Sequence, residues 1–234
     1  MRNKTDIVHD YILEKKIDLC CCVETWLKES DELLMKHLTP NGFDILHHYR
    51  KGRTGGGVAV LCKSEYKAKI DKLPDYTSFE YISIILQSLD LPVCVVYRPP
   101  SIDGISGGTF FHENAKLFEI LSIDKKRLLL LGDFNFPLNK CKEPNSIKFT
   151  KLLEEFSLQQ HVTLPTCKSL NTLDLVITRS SNEILLTKPK VKDFISDHAA
   201  IICHLCCPKP SAESKQFSYR RIKDIDVPAF KNDI

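Results

Sequence analysis

The sequence predicts an α/β (α+β) domain in which two β-sheets pack face to face with helices outside them. Three observations carry this expectation. Apolar runs of strand length recur along the chain, only a few stretches show helical periodicity, and no repeat of roughly 20–50 residues suggests a solenoid. With 234 residues, 43% of them hydrophobic and only 9 glycines, the chain can bury one sizeable core.

Taken in order, Ile7, Val8, Tyr11 and Ile12 fall on one helical face behind Thr5, a candidate N-cap, so Lys4–Lys16 reads as an amphipathic helix. The run Ile17–Val23 is continuously apolar after Asp18 and reads as a buried central strand ending at Glu24. Further strands are expected at Gly55–Lys63, Tyr81–Leu89, Pro92–Arg98, Arg127–Asn135, Thr172–Thr178 and Ala199–Leu205. Helices are expected at Thr109–Leu121 and Ile147–Phe156. From Pro208 the texture becomes rich in Pro, Ser and charge, so residues 1–207 read as the domain and 208–234 as a linker-like tail.

Thirty-three basic residues against 30 acidic ones leave a net charge of +3, so overall charge does not announce a nucleic-acid binder. The best local basic patch is His47–Arg53, which reads equally as a solvated loop. The ten cysteines show no paired zinc spacing. Cys20, Cys21, Cys22, Cys206 and Cys207 lie in apolar runs, where thiols act as small core hydrophobes. No signal peptide and no apolar stretch of bilayer length are visible. The expectation is therefore an intracellular protein of nucleus or cytoplasm, without zinc or membrane.

The informative pattern lies at the ends of the apolar runs. Glu24 follows LCCCV, Tyr97 follows VCVV, Asp133 and Asn135 follow LLLLG, and Asp197 and His198 precede AAIICHL. Strand ends on a rigid sheet can converge on one rim. Asp174 sits between leucines inside TLDLVIT, where an unpaired charge would be costly and calls for a partner such as a histidine. Each group also has a local reading. Glu24 could serve a helix N-terminus, GDFN a tight turn and Asp197 a cap, while His198 could be a core histidine and Tyr97 an ordinary strand-end aromatic. Together they supply what phosphodiester hydrolysis needs: carboxylates for a hard cation, a base for water, and donors for phosphoryl oxygens.

ET at Glu24–Thr25, YRPP at Tyr97–Pro100, GDFN at Gly132–Asn135, TLDLV at Thr172–Val176 and SDH at Ser196–His198 occur in one order along the chain. In this order they resemble the endonuclease/exonuclease/phosphatase superfamily, which includes DNase I and the abasic-site nucleases. ETWL, GGGVAV and YRPP together resemble more narrowly the apurinic-like endonuclease of CR1/L2-like LINE retrotransposons, and the tail FSYRRIKDIDVPAF resembles the connector that precedes their reverse transcriptase. The resemblance implies a DNase I-like four-layer sandwich of two packed, mostly antiparallel β-sheets flanked by helices, and an activity that nicks DNA. It implies that Glu24 binds Mg²⁺, or Mn²⁺ in its place, that Asp197 completes the site near the metal or orients His198, and that Asp133 orients or deprotonates the attacking water. Asn135 and Tyr97 would hold the phosphate, and His198, kept protonated by Asp174, would stabilise the transition state. Arg98, Ser196 and Thr172 become phosphate or DNA contacts.

The resemblance starts after the family's first strand, so that strand and the Asn that ends it are expected to be missing here; Asn3 lies in an RNK segment instead. Two expectations follow. The retained site residues imply a metal-dependent DNA endonuclease, whereas the missing strand implies a catalytically impaired remnant with at most nucleic-acid binding. A phosphoinositide or other phosphodiester substrate is a third reading, since the fold class hosts several.

Overall fold

The computed structural model of the chain describes residues 2–50, 52, 54–100, 107–123, 127–181 and 184–208. The expected tail from 209 onward, and Lys51 and Arg53 of the basic run, lie outside the described residues.

The chain begins with α1 (Thr5–Glu14), β1 (Leu19–Val23), α2 (Glu32–Leu38), β2 (Phe43–His48) and β3 (Val58–Lys63). It continues with β4 (Ala68–Ile70), β5 (Glu80–Leu86), β6 (Leu91–Tyr97), α3 (Gly107–Ser122), β7 (Leu129–Asp133), α4 (Pro144–Glu155), β8 (Leu158–Gln160), β9 (Asp174–Arg179), β10 (Lys190–Phe194) and β11 (Ala199–Ile202). These strands form a six-stranded sheet in the order β4-β5-β6-β7-β9-β8, a three-stranded sheet β1-β3-β2 and a hairpin β10-β11. Among the described residues only β6 and β7 pair in parallel; the other ladders are antiparallel.

Burial explains the layering. Val58, Val60 and Cys62 of β3 pack against Ile82, Ile84 and Leu86 of β5 and Val93 and Val95 of β6, forming the core between the sheets. Alternation along β6 and β7 sends Cys94, Val96 and Leu130 to the opposite face, against Phe110, Leu117, Phe118 and Leu121 of α3 and Phe149 and Leu153 of α4. On the far side, Val8 and Ile12 of α1 and Leu38 of α2 cover Leu61 of β3. The result is helix, sheet, sheet, helix, the DNase I-like sandwich expected from the sequence. β3 and β6 are central strands covered on both faces, which is why they read as unbroken apolar runs.

Several elements escaped the sequence reading. β4 and β8 are three residues long, and β10 is mostly exposed, so none carries an apolar pattern. α2 buries only Leu38, and β2 mixes aspartate and histidines with its apolar residues. At the front, the N-cap is Lys4 without a side-chain cap bond; Thr5 is instead the buried first residue of the helix. Ile7 is 53% exposed, so the covered face of α1 is Val8 and Ile12. All ten cysteines are free; Cys20 and Cys22 pack under α1 and Cys21 and Cys207 against the inner core, whereas Cys206 is exposed. Among the described residues no helix is long and apolar enough to cross a membrane.

Candidate active site

Strand register sets the site. Glu80, Tyr97, Asp133 and Asp174 stand opposite one another across β5, β6, β7 and β9. Directly opposed residues share one sheet face, and here it is the face that meets the other sheet. The row stands where the apolar stretches of these strands stop, at the rim of the inter-sheet core. From the other sheet, Glu24 follows β1 and accepts a hydrogen bond from the Tyr97 hydroxyl. Burial, followed by the adjoining Glu24 carboxylate, raises the Tyr97 phenol above its ordinary value.

The GDFN segment is a tight turn, and the same bonds that close it aim Asp133. Gly132 has φ +138°, and a Cβ there would lie 1.8 Å from the Val96 carbonyl oxygen, so β6 and β7 can approach at this point only over a glycine. Asn135, at φ +51°, donates its backbone N–H to Asp133 Oδ1 (2.9 Å) and its amide to Asp133 Oδ2 (3.1 Å) and to the Arg98 carbonyl. The Arg98 N–H in turn donates to the Asp133 carbonyl at 2.8 Å. The Arg98 guanidinium lies 4.2 Å from the Phe136 ring centre and 5.0 Å from that of Phe110 and donates to the Asn135 carbonyl at 3.3 Å. Arg98 thus ties the turn to the outer core.

Asp174 has the histidine partner that its sequence setting called for. His198 Nδ1–H donates to Asp174 Oδ2 at 2.7 Å, with 28% and 14% of the two side chains exposed. The Thr166 hydroxyl accepts the N–H groups of Leu173 and Asp174 at 3.0 and 3.1 Å, which fixes the start of β9. The bond to Asp174 raises the His198 imidazole to about 9, against an opposing effect of burial. Burial, and after it the Asp174 carboxylate, push the buried Asp133 carboxyl up to about 7, with His198 and the Asn135 N–H partly offsetting them. Asp133, Asp174 and His198 offer ligand atoms within 4.8 Å of one another, a group able to hold a metal ion.

The remaining expected residues serve as supports or stand apart. The Ser196 hydroxyl accepts the His198 N–H at 3.1 Å and donates to the His198 carbonyl at 3.3 Å, shaping the turn that presents the imidazole. Asp197 is exposed, its carbonyl accepting the Lys168 N–H at 3.0 Å, and its charge helps raise His198. Thr172 is buried and donates to the Leu164 carbonyl at 3.0 Å, a contact that does not bring its hydroxyl to the acids. Sequence reading included Arg50 only as part of the basic run His47–Arg53 and passed over Glu80. Arg50 is ion-paired with Glu80, which also accepts the Gly57 N–H, and its guanidinium sits 5.8 Å from the Tyr97 ring centre. The signal was available in the three consecutive glycines at 55–57, since such a run marks close approach to backbone.

A model of the endonuclease/exonuclease/phosphatase family matches residues 1–198. The chain belongs to the endonuclease/exonuclease/phosphatase family. Solved structures share its fold. The endonuclease domain of TRAS1, a telomere-specific non-LTR retrotransposon, superposes with a TM-score of 0.64 at 13% identity over 85% of this chain and 89% of that one. A 3′ phosphatase NExo from Neisseria, bound to a product DNA hairpin, gives 0.63 at 18% identity over 87% and 94%. The AP endonuclease LMAP from Leishmania major gives 0.67 at 11% identity over 86% and 81%. No curated protein matches the chain significantly. Family membership places it among nuclease- and phosphatase-type hydrolases.

Proposed function

We propose that this family member is a Mg²⁺-dependent endonuclease that nicks DNA and derives from a LINE retrotransposon, with residues 1–207 as the hydrolase and 208–234 as a connector. We take its working compartment to be nucleus or cytoplasm. One observation carries the reading: a buried aspartate poised near neutrality, Asp133, stands beside an Asp174–His198 ion pair and shares a rim with Glu24 and Tyr97. The DNA-acting neighbours and the ETWL motif support DNA over other phosphodiesters.

The donor set fits a hard divalent cation. Glu24 offers an exposed carboxylate, and burial, followed by the neighbouring Asp174 carboxylate, raises the Asp133 carboxyl, a cost that a bound cation relieves. Glu24 and Asp197 would hold Mg²⁺, for which Mn²⁺ can substitute. When bound, Mg²⁺ supplies neutralisation of charge on the phosphoryl oxygens. Asp133 orients the attacking water and takes its proton, and Asn135, bonded to both Asp133 oxygens, holds that carboxylate in place. His198, protonated at neutral pH, donates from its free nitrogen to a non-bridging oxygen, with Asp174 fixing the ring. Because His198 is held as an imidazolium, it acts as a donor rather than a metal ligand. Tyr97 helps position the phosphate, and Arg98 and Ser196 act through the turns they close.

The test is relaxation of supercoiled plasmid with Mg²⁺. Nicking should vanish with EDTA and fall by at least ~10²–10³ in Asp133→Ala; nicking that persists in Asp133→Ala would sink the mechanism. A second reading, an impaired enzyme that still binds nucleic acid, is favoured by one observation. Among the described residues, β1 pairs only with β3 and β11 only with β10, so the strand before Glu24 and the strand after His198 are not joined in one sheet. Fluorescence anisotropy of labelled DNA beside the plasmid assay distinguishes the two: DNA binding without Mg²⁺-dependent nicking supports the impaired reading.

A further inference from the structure

The three glycines at 55–57 form a bare strip of backbone on which three side chains rest. All have positive φ, +86°, +68° and +84°. A Cβ on Gly55 would meet the Trp26 ring at 3.5 Å, one on Gly56 would run into the Arg50 guanidinium, and one on Gly57 would press on the Thr25 hydroxyl at 2.6 Å. The strip therefore seats Trp26 and Arg50 side by side. Backbone bonds fix the arrangement: the Trp26 N–H donates to the Gly56 carbonyl at 2.8 Å and the Thr25 N–H to the Gly57 carbonyl at 3.1 Å.

Trp26 is held at φ +58°, a left-handed conformation that a bulky residue rarely adopts, yet its side chain is 52% exposed. The chain thus keeps an unusual backbone geometry in order to display a large flat ring rather than to bury it. Beside it, the Arg50 Nη2 is buried and has no hydrogen-bond partner among the described residues. The Arg50 guanidinium also covers Tyr97, which bonds to Glu24. Contacts link the Glu24 carboxylate to the Tyr97 phenol and the phenol to the Arg50 guanidinium, and the indole lies against the next glycine of the strip. The phenol and guanidinium can donate to a phosphodiester, and the indole suits a flat apolar group attached to it.

We propose that Trp26 is a stacking platform for one unstacked nucleobase of DNA, next to the phosphate that Tyr97 positions, with Arg50 donating to the backbone between them. The assignment rests on the endonuclease reading above and deepens it, because each nucleobase has flat aromatic faces that stack on an indole, and a base inside a duplex has both faces covered.

Trp26 is the only tryptophan of the chain, so its emission reports the contact directly. The full chain in EDTA, where nothing is cut, is titrated with a single-stranded oligonucleotide and with an abasic oligonucleotide of equal length, while fluorescence anisotropy of end-labelled DNA follows binding. Expected results are saturable quenching by the base-bearing strand, none by the abasic strand, and binding weakened roughly 5- to 150-fold in Trp26→Ala with most of it regained in Trp26→Phe. Binding without quenching, or equal quenching by both strands, overturns the stacking assignment and leaves the endonuclease reading intact. Absence of binding to either strand overturns the assignment too, and if plasmid nicking is also absent, the endonuclease reading falls with it.

Discussion

Replacing Asp174 by Asn tests the electrostatics of the site most directly. His198 is raised from 6.5 to about 9, chiefly through its bond to Asp174. At ~1.4 kcal/mol per pKa unit, the pair favours the imidazolium by on the order of 3 kcal/mol. Both side chains are mostly covered, with 28% and 14% exposed, so water does not screen the interaction away. A folded-state pKa above the unfolded one means that the pair stabilises the fold fully below about pH 6.5 and that this contribution is lost as pH rises through about 9. In Asp174→Asn the hydrogen bond to a charge is gone while burial still opposes protonation, so His198 should titrate near or below its ordinary value. The assay is an NMR titration of the imidazole Cε1 protons in EDTA, with His198→Gln identifying the signal among the eight histidines. Urea denaturation should show the wild type losing its advantage over Asp174→Asn between pH 6 and pH 10. A wild-type His198 that titrates near 6.5, or one that Asp174→Asn leaves unmoved, refutes the reasoning.

Two further substitutions probe the scaffold. Gly132→Ala would place a Cβ 1.8 Å from the Val96 carbonyl oxygen at φ +138°, so it should separate β6 from β7 and prevent accumulation of folded protein; an unchanged thermal midpoint would show that the approach of these strands is not as close as described. Phe149→Ala removes a fully buried ring that lies within 6.4 Å of the ring centres of Phe110, Phe118, Phe134 and Phe136. It should cost roughly 3–5 kcal/mol in urea denaturation, and a loss under ~1 kcal/mol would mean that the outer core is not closed around it.

Much of the site could be read from the chain because the central strands are buried on both faces, which makes their ends conspicuous. LLLLGD and VCVVY each run apolar to a polar terminus, and the parallel register of β6 and β7 then sets Tyr97 beside Asp133. Asp174 could be read for the opposite reason, as a carboxylate inside an apolar strand that required a partner. Edge strands such as β4 and β8 left no trace, since backbone pairing rather than side-chain burial creates them. Nor did the Arg50–Glu80 pair, whose members are 30 residues apart, or the double acceptance by Thr166. Such contacts depend on where two loops meet, and local pattern carries no record of that. The basic run His47–Arg53 illustrates the difference: its charge reads as a solvated loop, yet Arg50 is drawn inward by an acid on β5.

The separate β10-β11 hairpin also bears on how the protein can fail. It carries His198 at the mouth of its second strand, and its ties to the rest of the molecule include the Ala199 N–H to the Thr166 carbonyl at 2.8 Å and Lys4 Nζ to the Ile195 carbonyl at 2.6 Å. The large sheet, which carries Tyr97, Asp133 and Asp174, has no ladder to it among the described residues. Opening of the hairpin would part His198 from Asp174 and lift Val191 and Ile201 off the inner core while the outer core stayed shut. Amide hydrogen exchange would then register two clocks, a fast one at Ala199–Ile202 and a slow one at Leu129–Asp133, so the Asp174–His198 pair would come apart long before the chain unfolds.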